Sequence, residues 1–367
     1  MDTLNNNLQN FNYDEYRDKY VQDIWDNNSI YYKDDLNSWC SYNYNDVTSI
    51  LLDEETFSIV FGDLLDGIRS IDNLYIKNNM EEIQNNSIHM SYFNKLIHEY
   101  FFYKKNIKIN FLNTKSNNIT LTTSLLESLN YILNVFNINI NLQNKYKEIF
   151  FKINSIEEIQ KKYYEIIEIT NKNIEQIDLY KYVIKDLDIE DKATISIYKM
   201  HCQSFIASTI LKSCISIVGL KNILLYYSYK YNKFFKTVPL KIFNKESIRL
   251  ASFEAKFSRK VMKNINYNGF NMCIGDNMTV MTGVANCDKS IYGHDALIFN
   301  PNRRFQRPTI EFGFGQHICL AYKMIQIYAL QYSEFLTNKN VLIEDVLFDV
   351  NCEIFGSPIK YIYGEII

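Results

Sequence analysis

No two cysteines in this sequence stand at the CxxC spacing. The seven present, at 40, 202, 214, 273, 287, 319 and 352, are dispersed and odd in number. Such a set argues against a disulfide framework and fits a reducing, cytoplasmic compartment. Proline is scarce, with four residues at 239, 301, 308 and 358. No Pro/Gly-rich linker and no internal repeat divides the chain, so a single domain over residues 1–367 is expected, although the length could hold two. An excess of one charge is also missing. The net charge of −3 gives no reason to expect a nucleic-acid or anionic-membrane partner. The N-terminal stretch MDTLNNNLQNFNYDEYRDKY has no apolar h-region, so no signal peptide is expected. No uncharged window of about 18 apolar residues occurs either, so no membrane anchor is expected.

Apolar residues make up 47% of the chain and aromatic residues 15%, with 29 Tyr and 24 Phe, enough for a large core. The abundance of Asn, Ile, Tyr and Lys follows AT-rich codons. Apolar residues are nevertheless spread throughout, which separates the chain from disordered compositions. Residues 1–35 are polar with interspersed aromatics and read as short helices over a surface. Ser38 to Ser58 reads as a strand, a turn and a helix with Val47, Ile50 and Leu51 inward. Residues 62–88 lack a period and read as a long connection, of the kind that is often functional. A helical pattern starts at His89, and residues 107–185 alternate polar and apolar stretches expected to form several helices. Ile195 to about Tyr227 has no Pro and one Gly, at 219. About 33 helical residues would span roughly 50 Å, enough to cross the molecule. Glu246 and Arg249 form an ExxR pair on a further helical pattern, which alone is a weak i,i+3 pair.

The densest signal is EFGFGQHICLAYKMIQIYAL, Glu311 to Leu330. Gly313 and Gly315 permit backbone angles closed to other residues and close approach to a flat ligand. Cys319 falls just ahead of a helical pattern, where free N–H groups and the helix dipole favour a thiolate. A thiolate without a second Cys or His at metal-finger spacing suits an iron already held by a macrocycle. The bland reading is a small buried hydrophobe beside a satisfied His.

The stretch resembles the haem-binding loop of the cytochromes P-450, FGxGxHxCxG or FGxGxHxCxA. Phe312, Gly313, Gly315, His317, Cys319 and Ala321 all match. Upstream, Gly283 to Arg303 resembles the family's AANRDPxxFxDPDxFxPxR segment. There Ala285, Asn286, Asp288, Phe299, Pro301 and Arg303 match, and Cys287 and Lys289 do not. Arg259, Gly269 and Gly275 stand at the family's R…G…G spacing, after Glu246 and Arg249 in the position of its ExxR. The segment from Ser38 resembles the first hairpin and helix of soluble, bacterial-type members. The tail around Gly356, Ser357 and Pro358 resembles their terminal hairpin.

The resemblance implies a mainly α fold with small β-sheets (α+β), with haem b buried between a long central helix and the helix after the Cys loop. Cys319 would be the axial iron ligand, with Phe312 and Gly313 beside the haem and His317 and Arg259 on its propionates. His89 would begin the helix that contacts a propionate; an N-terminal surface His fits it equally. The Arg that the family places four residues later is Phe93 here, and the nearest cation is Lys95. Glu246, Arg249 and Arg303 would form a buried ion network behind the loop. On the oxygen side, one register places Met200, His201, Cys202, Gln203 and Ser204 at the family's (A/G)GxxT, making Gln203 and Ser204 the catalytic pair. A second register places Ala207, Ser208 and Thr209 there. Arg303, Arg304, Arg307 and Lys323 would flank the face that receives an acidic electron-transfer protein.

Two functional classes follow from the resemblance. The first is a soluble, monomeric monooxygenase that hydroxylates or epoxidises an apolar small molecule as a tailoring step of specialised metabolism. Its electrons would come from NAD(P)H through a ferredoxin-type donor and reductase. The second is a P-450-like haem protein with atypical chemistry (peroxide-driven, rearranging or dehydrating) or a non-catalytic recruitment module. The His201, Gln203 and Ser204 departures motivate it.

Overall fold

The computed structural model describes residues 13–58, 87–103, 121–150, 156–185, 187, 192–252, 255–348 and 359–366. Helix α1 (Tyr13–Trp25) leads into β1 (Ile30–Lys33), β2 (Ser38–Ser41), α2 (Tyr44–Leu52) and β3 (Phe57–Ser58). Then come α3 (Ser87–Tyr103), α4 (Leu121–Val135), α5 (Ile140–Phe150), α6 (Ile156–Asn173) and α7 (Asp178–Ile184). The long helix consists of α8 (Lys192–Ser208), a π turn (Thr209–Ser213) and α9 (Cys214–Lys230). After it lie α10 (Asn232–Thr237), α11 (Leu240–Leu250), β4 (Phe257–Val261), β5 (Ile265–Tyr267), β6 (Phe270–Met272) and β7 (Asn277–Val280). Short helices α12 (Thr282–Ala285) and α13 (Lys289–Tyr292), then α14 (Tyr322–Thr337) and the antiparallel pair β8 (Val341–Phe348) and β9 (Ile359–Ile366), complete the chain. The mainly helical fold with small sheets is as the sequence implied. The connection over 62–88 and the hairpin turn with Gly356, Ser357 and Pro358 fall almost wholly outside the described residues. The N-terminal region differs from expectation: besides one helix it contributes a strand, β1.

That strand edges a five-stranded sheet of order β1-β2-β7-β4-β3. β2 runs parallel to β7, with Trp39 beside Met278, and the other neighbours are antiparallel. The spacing of Val47, Ile50 and Leu51 puts them on one face of α2. All three are buried, against a cluster containing Phe57, Val261, Met278 and Val280. This packing fixes the C-terminal end of α2 against the sheet.

The long helix is apolar on nearly every side, with Ile206, Ile210, Cys214, Ile217, Leu220 and Leu224 fully buried. A helix of that composition belongs in a core. By length and composition Thr194–Lys230 could cross a membrane, but 75% of its most apolar window is buried inside the fold. α8 packs on α6 and α7, and α9 packs on α4, α11 and α14. Among these, Lys221 pairs with Glu127 of α4 and lies 5.5 Å over the Tyr332 ring of α14. Tyr131 of α4 donates to the Met324 carbonyl of α14 at 2.8 Å, so the helix after the Cys loop is tied to the bundle.

Candidate active site

Cys319 lies three residues ahead of α14, half-buried and in no disulfide. Its N–H donates to the Phe312 carbonyl at 2.8 Å, and its own carbonyl accepts from Tyr322 N–H at 3.2 Å. The loop closes over these bonds because Gly313 and Gly315 adopt φ of 80° and 77°, a region that strains other residues. A Cβ on Gly315 would come within 2.9 Å of Leu52 Cδ2 and 3.3 Å of the Leu51 carbonyl. The end of α2 therefore buttresses the loop. The other described cysteines differ from Cys319. Burial pushes the thiol of Cys40 up to about 11 and raises those of Cys202, Cys214 and Cys287, while Cys273 is exposed on a turn.

Arg259 is buried on β4, where its Nη1 donates to the Ser258 carbonyl at 2.8 Å. It lies close enough to His317 for its charge to act there. Burial pushes His317 below the ordinary imidazole range, the Glu54 charge pulls it back, and Arg259 adds to the lowering. Glu54 Oε1 stands 2.8 Å from His317 Nε2. Nothing in the sequence pointed to Glu54; the turn after α2 brings it there, with Thr56 N–H on Asp53 Oδ1 at 3.0 Å. His89 sits in the first turn of α3, but its side chain is outside the described residues. Phe93 is buried, with its ring 5.4 Å from His201, 6.2 Å from Phe205 and 6.5 Å from Tyr198 of the long helix. The position where the family has a propionate-binding Arg is thus core packing here. Lys95 is exposed.

Glu246 and Arg249 are fully buried on α11. Arg249 Nε and Nη2 donate to Glu246 Oε2 and Oε1, both at 2.8 Å, and its Nη1 donates to the Asn286 and Ala296 carbonyls at 2.8 Å. Burial works to lower the Arg249 pKa, but the bonds and charge of Glu246 outweigh it and the net shift is upward. Arg303 Nε reaches Glu246 Oε1 at 3.2 Å and its Nη1 reaches Asp295 Oδ1 at 2.8 Å. Asn286 links this network to the loop: Oδ1 accepts from Ile310 N–H at 2.9 Å and Nδ2 donates to Glu311 Oε2 at 3.3 Å. Burial raises the Glu311 pKa. Arg304 and Arg307 are exposed, whereas Lys323 lies 4.8 Å over the Tyr322 ring.

On the long helix Gln203 is buried in α8, and the Ser204 side chain is outside the described residues. The irregularity of this helix lies further on, at the π turn Thr209–Ser213, where Thr209 is also buried. Single π turns widen a helix, disturb its carbonyl ladder and are frequent at functional sites.

The donor chemistry fits a haem. Among the described residues no group of three or more His, Cys, Asp or Glu gathers to hold a bare metal ion. A lone thiol suits an iron that arrives with its other ligands, and a buried guanidinium beside an imidazole suits a carboxylate edge.

No protein-family model and no curated protein matches the sequence. Solved structures do. A thermophilic cytochrome P-450 from Sulfolobus tokodaii matches at a TM-score of 0.69 and 14% identity, over 95% of this chain and 99% of that one. CalO2 matches at 0.71 and 12% identity, over 97% and 98%. P-450 BioI, in complex with acyl carrier protein ligated to hexadec-9Z-enoic acid, matches at 0.67 and 15% identity, over 97% and 98%. Matched to these structures along nearly its whole length, this protein has the cytochrome P-450 fold.

Proposed function

We propose that the chain is a single-domain, monomeric, cytoplasmic haem-thiolate monooxygenase. It would insert one oxygen atom of O2 into an apolar small molecule, by hydroxylation or epoxidation, as a tailoring step in specialised metabolism. Cys319 carries this reading: a half-buried thiol on a two-glycine loop ahead of α14, in a chain with this fold. When bound, haem b would supply O2 activation, and the Cys319 thiolate would hold its iron. Arg259 and His317 would hold its propionates through charge-assisted bonds, about twice as strong as neutral ones. Phe312 and Gly313 would lie beside it, and His89 at its edge. Glu246, Arg249 and Arg303 would keep the loop in place without touching the reacting atoms. The acyl chain carried by the protein bound to P-450 BioI, and the testosterone bound to a Bacillus megaterium P-450, support an apolar substrate. Electrons would come from NAD(P)H through a ferredoxin-type donor and its reductase.

One observation favours the atypical class. Residues 192–230, the whole long helix, contain no Asp or Glu. The Gln203 amide cannot act as a carboxylate proton relay. Proton delivery would then fall to the hydroxyls of Ser204 or Thr209, to water they hold, or to the substrate itself. The two readings separate on purified, haem-loaded protein screened for substrate-induced spectral shifts. Product formed per NAD(P)H consumed supports the first reading. Turnover with hydrogen peroxide and none with reductant supports the second.

A further inference from the structure

A second buried carboxylate lies behind the ligand loop. Glu246 is neutralised by the guanidiniums of Arg249 and Arg303. Glu311 is only 4% exposed, and no cation forms an ion pair with it among the described residues. Its donors are neutral: Asn286 Nδ2 reaches Oε2 at 3.3 Å and the Thr309 hydroxyl reaches Oε1 at 3.1 Å. A carboxylate withdrawn from water without a paired charge is costly to keep ionised. Burial accordingly raises the Glu311 pKa. Its own N–H, Thr309, Asn286 and the charge of Lys245 pull it back without cancelling the rise.

The site can hold both protonation states. Ionised, Glu311 accepts from Asn286 and Thr309. Protonated, it needs an acceptor, and a hydroxyl accepts as well as donates. The Thr309 oxygen can take the new O–H while Asn286 continues to donate to Oε2. The surrounding groups leave the range around neutrality to Glu311. From α2 and α13, Tyr44 and Tyr292 donate to the Pro308 carbonyl at 2.8 and 3.3 Å. Burial pushes both phenols up, and likewise the Cys287 thiol beside Asn286. From α11 come the exposed Lys245 and the mutually neutralising pair Glu246 and Arg249. The exposed Arg307 acts on Tyr44.

Glu311 is also joined to the ligand. It stands in the turn Ile310–Gly313, which Gly313 N–H closes on the Ile310 carbonyl at 3.0 Å. Asn286 grips this turn with both ends of its amide, accepting from Ile310 N–H and donating to Glu311. The next residue, Phe312, accepts the Cys319 N–H. One residue and one hydrogen bond thus separate Glu311 from the Cys319 backbone, in an interior where charges interact far more strongly than in water.

We propose that Glu311 is a proton-linked positioning residue for the Cys319 ligand, its carboxylate taking up one proton as the haem takes up one electron. The proposal rests on the haem-thiolate reading. The electron comes from the reductant. The proton comes from water and forms an O–H bond on Glu311, and reoxidation returns both. An added negative charge nearby favours the neutral carboxyl, so reduction becomes easier as the pH falls.

The test is a redox titration of haem-loaded, substrate-free protein from about pH 5 to about pH 9, with reduced-minus-oxidised infrared spectra. The native midpoint potential should fall as the pH rises through the range in which Glu311 titrates. Glu311→Gln keeps the shape but cannot ionise. It should lose that component, matching the native potential at low pH and lying above it at high pH. Glu311→Asp should restore the component. Thr309→Val removes a donor to the ionised form and should move the component to higher pH, which keeps the test open if Glu311→Gln does not fold. Reduction should bring up the C=O stretch of a protonated carboxyl, absent from Glu311→Gln. Equal pH dependence in the native chain and Glu311→Gln overturns the proposal, as does a missing carboxyl band. With a thiolate spectrum under carbon monoxide, either result leaves the haem-thiolate reading standing. Without that spectrum the reading falls, and the proposal with it.

Discussion

Removing Glu246 should unfold the ligand loop rather than merely slow catalysis. Its two oxygens accept from Arg249 Nε and Nη2, from Arg303 Nε and from Asn300 N–H, at 2.8 to 3.2 Å. Glu246→Ala would strand the fully buried Arg249 guanidinium and the half-buried Asn300 amide. Breaking a buried pair from one side costs on the order of 3–5 kcal/mol, against a total stability of roughly 5–15 kcal/mol. For a chain of this size that is a fall in Tm on the order of 4–6 °C. Arg249→Ala should cost a similar amount, because it frees the Asn286 and Ala296 carbonyls as well. The assay is thermal unfolding followed by circular dichroism, on haem-loaded and haem-free protein, with haem content from absorbance. Both forms should be destabilised, because the network is anchored in α11 and in the segment from Asn286 to Arg303. The exposed Lys241→Ala should stay within about 0.5 kcal/mol of the native chain. A soluble Glu246→Ala protein with native Tm and full haem content would refute the reasoning.

Asp14 joins α1 to the end of the long helix. Burial pushes its carboxyl up, but Arg17, Lys230 and Tyr231 together hold it below its ordinary 3.8. Its folded pKa is depressed, so its contribution is present above 3.8 and lost as the pH falls through the folded value. Asp14→Asn should flatten that acid limb in denaturant titrations repeated below about pH 4; an unchanged pH slope would contradict this. Glu54→Gln removes the charge that draws on His317, and should slow haem loss to an excess of apomyoglobin a few-fold. Faster loss would mean that Glu54 orients His317 for the haem. If the π turn marks the oxygen side, Thr209→Ala should abolish product formation while Ser204→Ala is nearly silent. The reverse result would return the function to the Gln203 and Ser204 register.

The Cys loop was readable because its determinants are local: two glycines with positive φ, and a thiol just before a helix, all within ten residues. The residues alone showed the ExxR motif as a pair, and the resemblance implied its buried network with Arg303, but not the further partners. Its bonds to Asn286, Ala296 and Asn300 depend on segments that only the fold brings near. Glu54 left no signal, since its role depends on α2 stacking its end on Gly315. The π turn was hidden as well. TILKS contains no Gly or Pro, so a helix of this composition reads as unbroken. β1 was missed because its four residues form a strand only through pairing with β2.

The most direct test of the central claim is the absorption spectrum of purified, haem-replete protein after reduction under carbon monoxide. Thiolate ligation by Cys319 predicts the strongly red-shifted Soret band that only a thiolate opposite the carbonyl gives. Cys319→His, if it keeps haem, should show a globin-like band instead. A native chain that binds no haem, or a Cys319→His spectrum unchanged from the native one, would contradict the account.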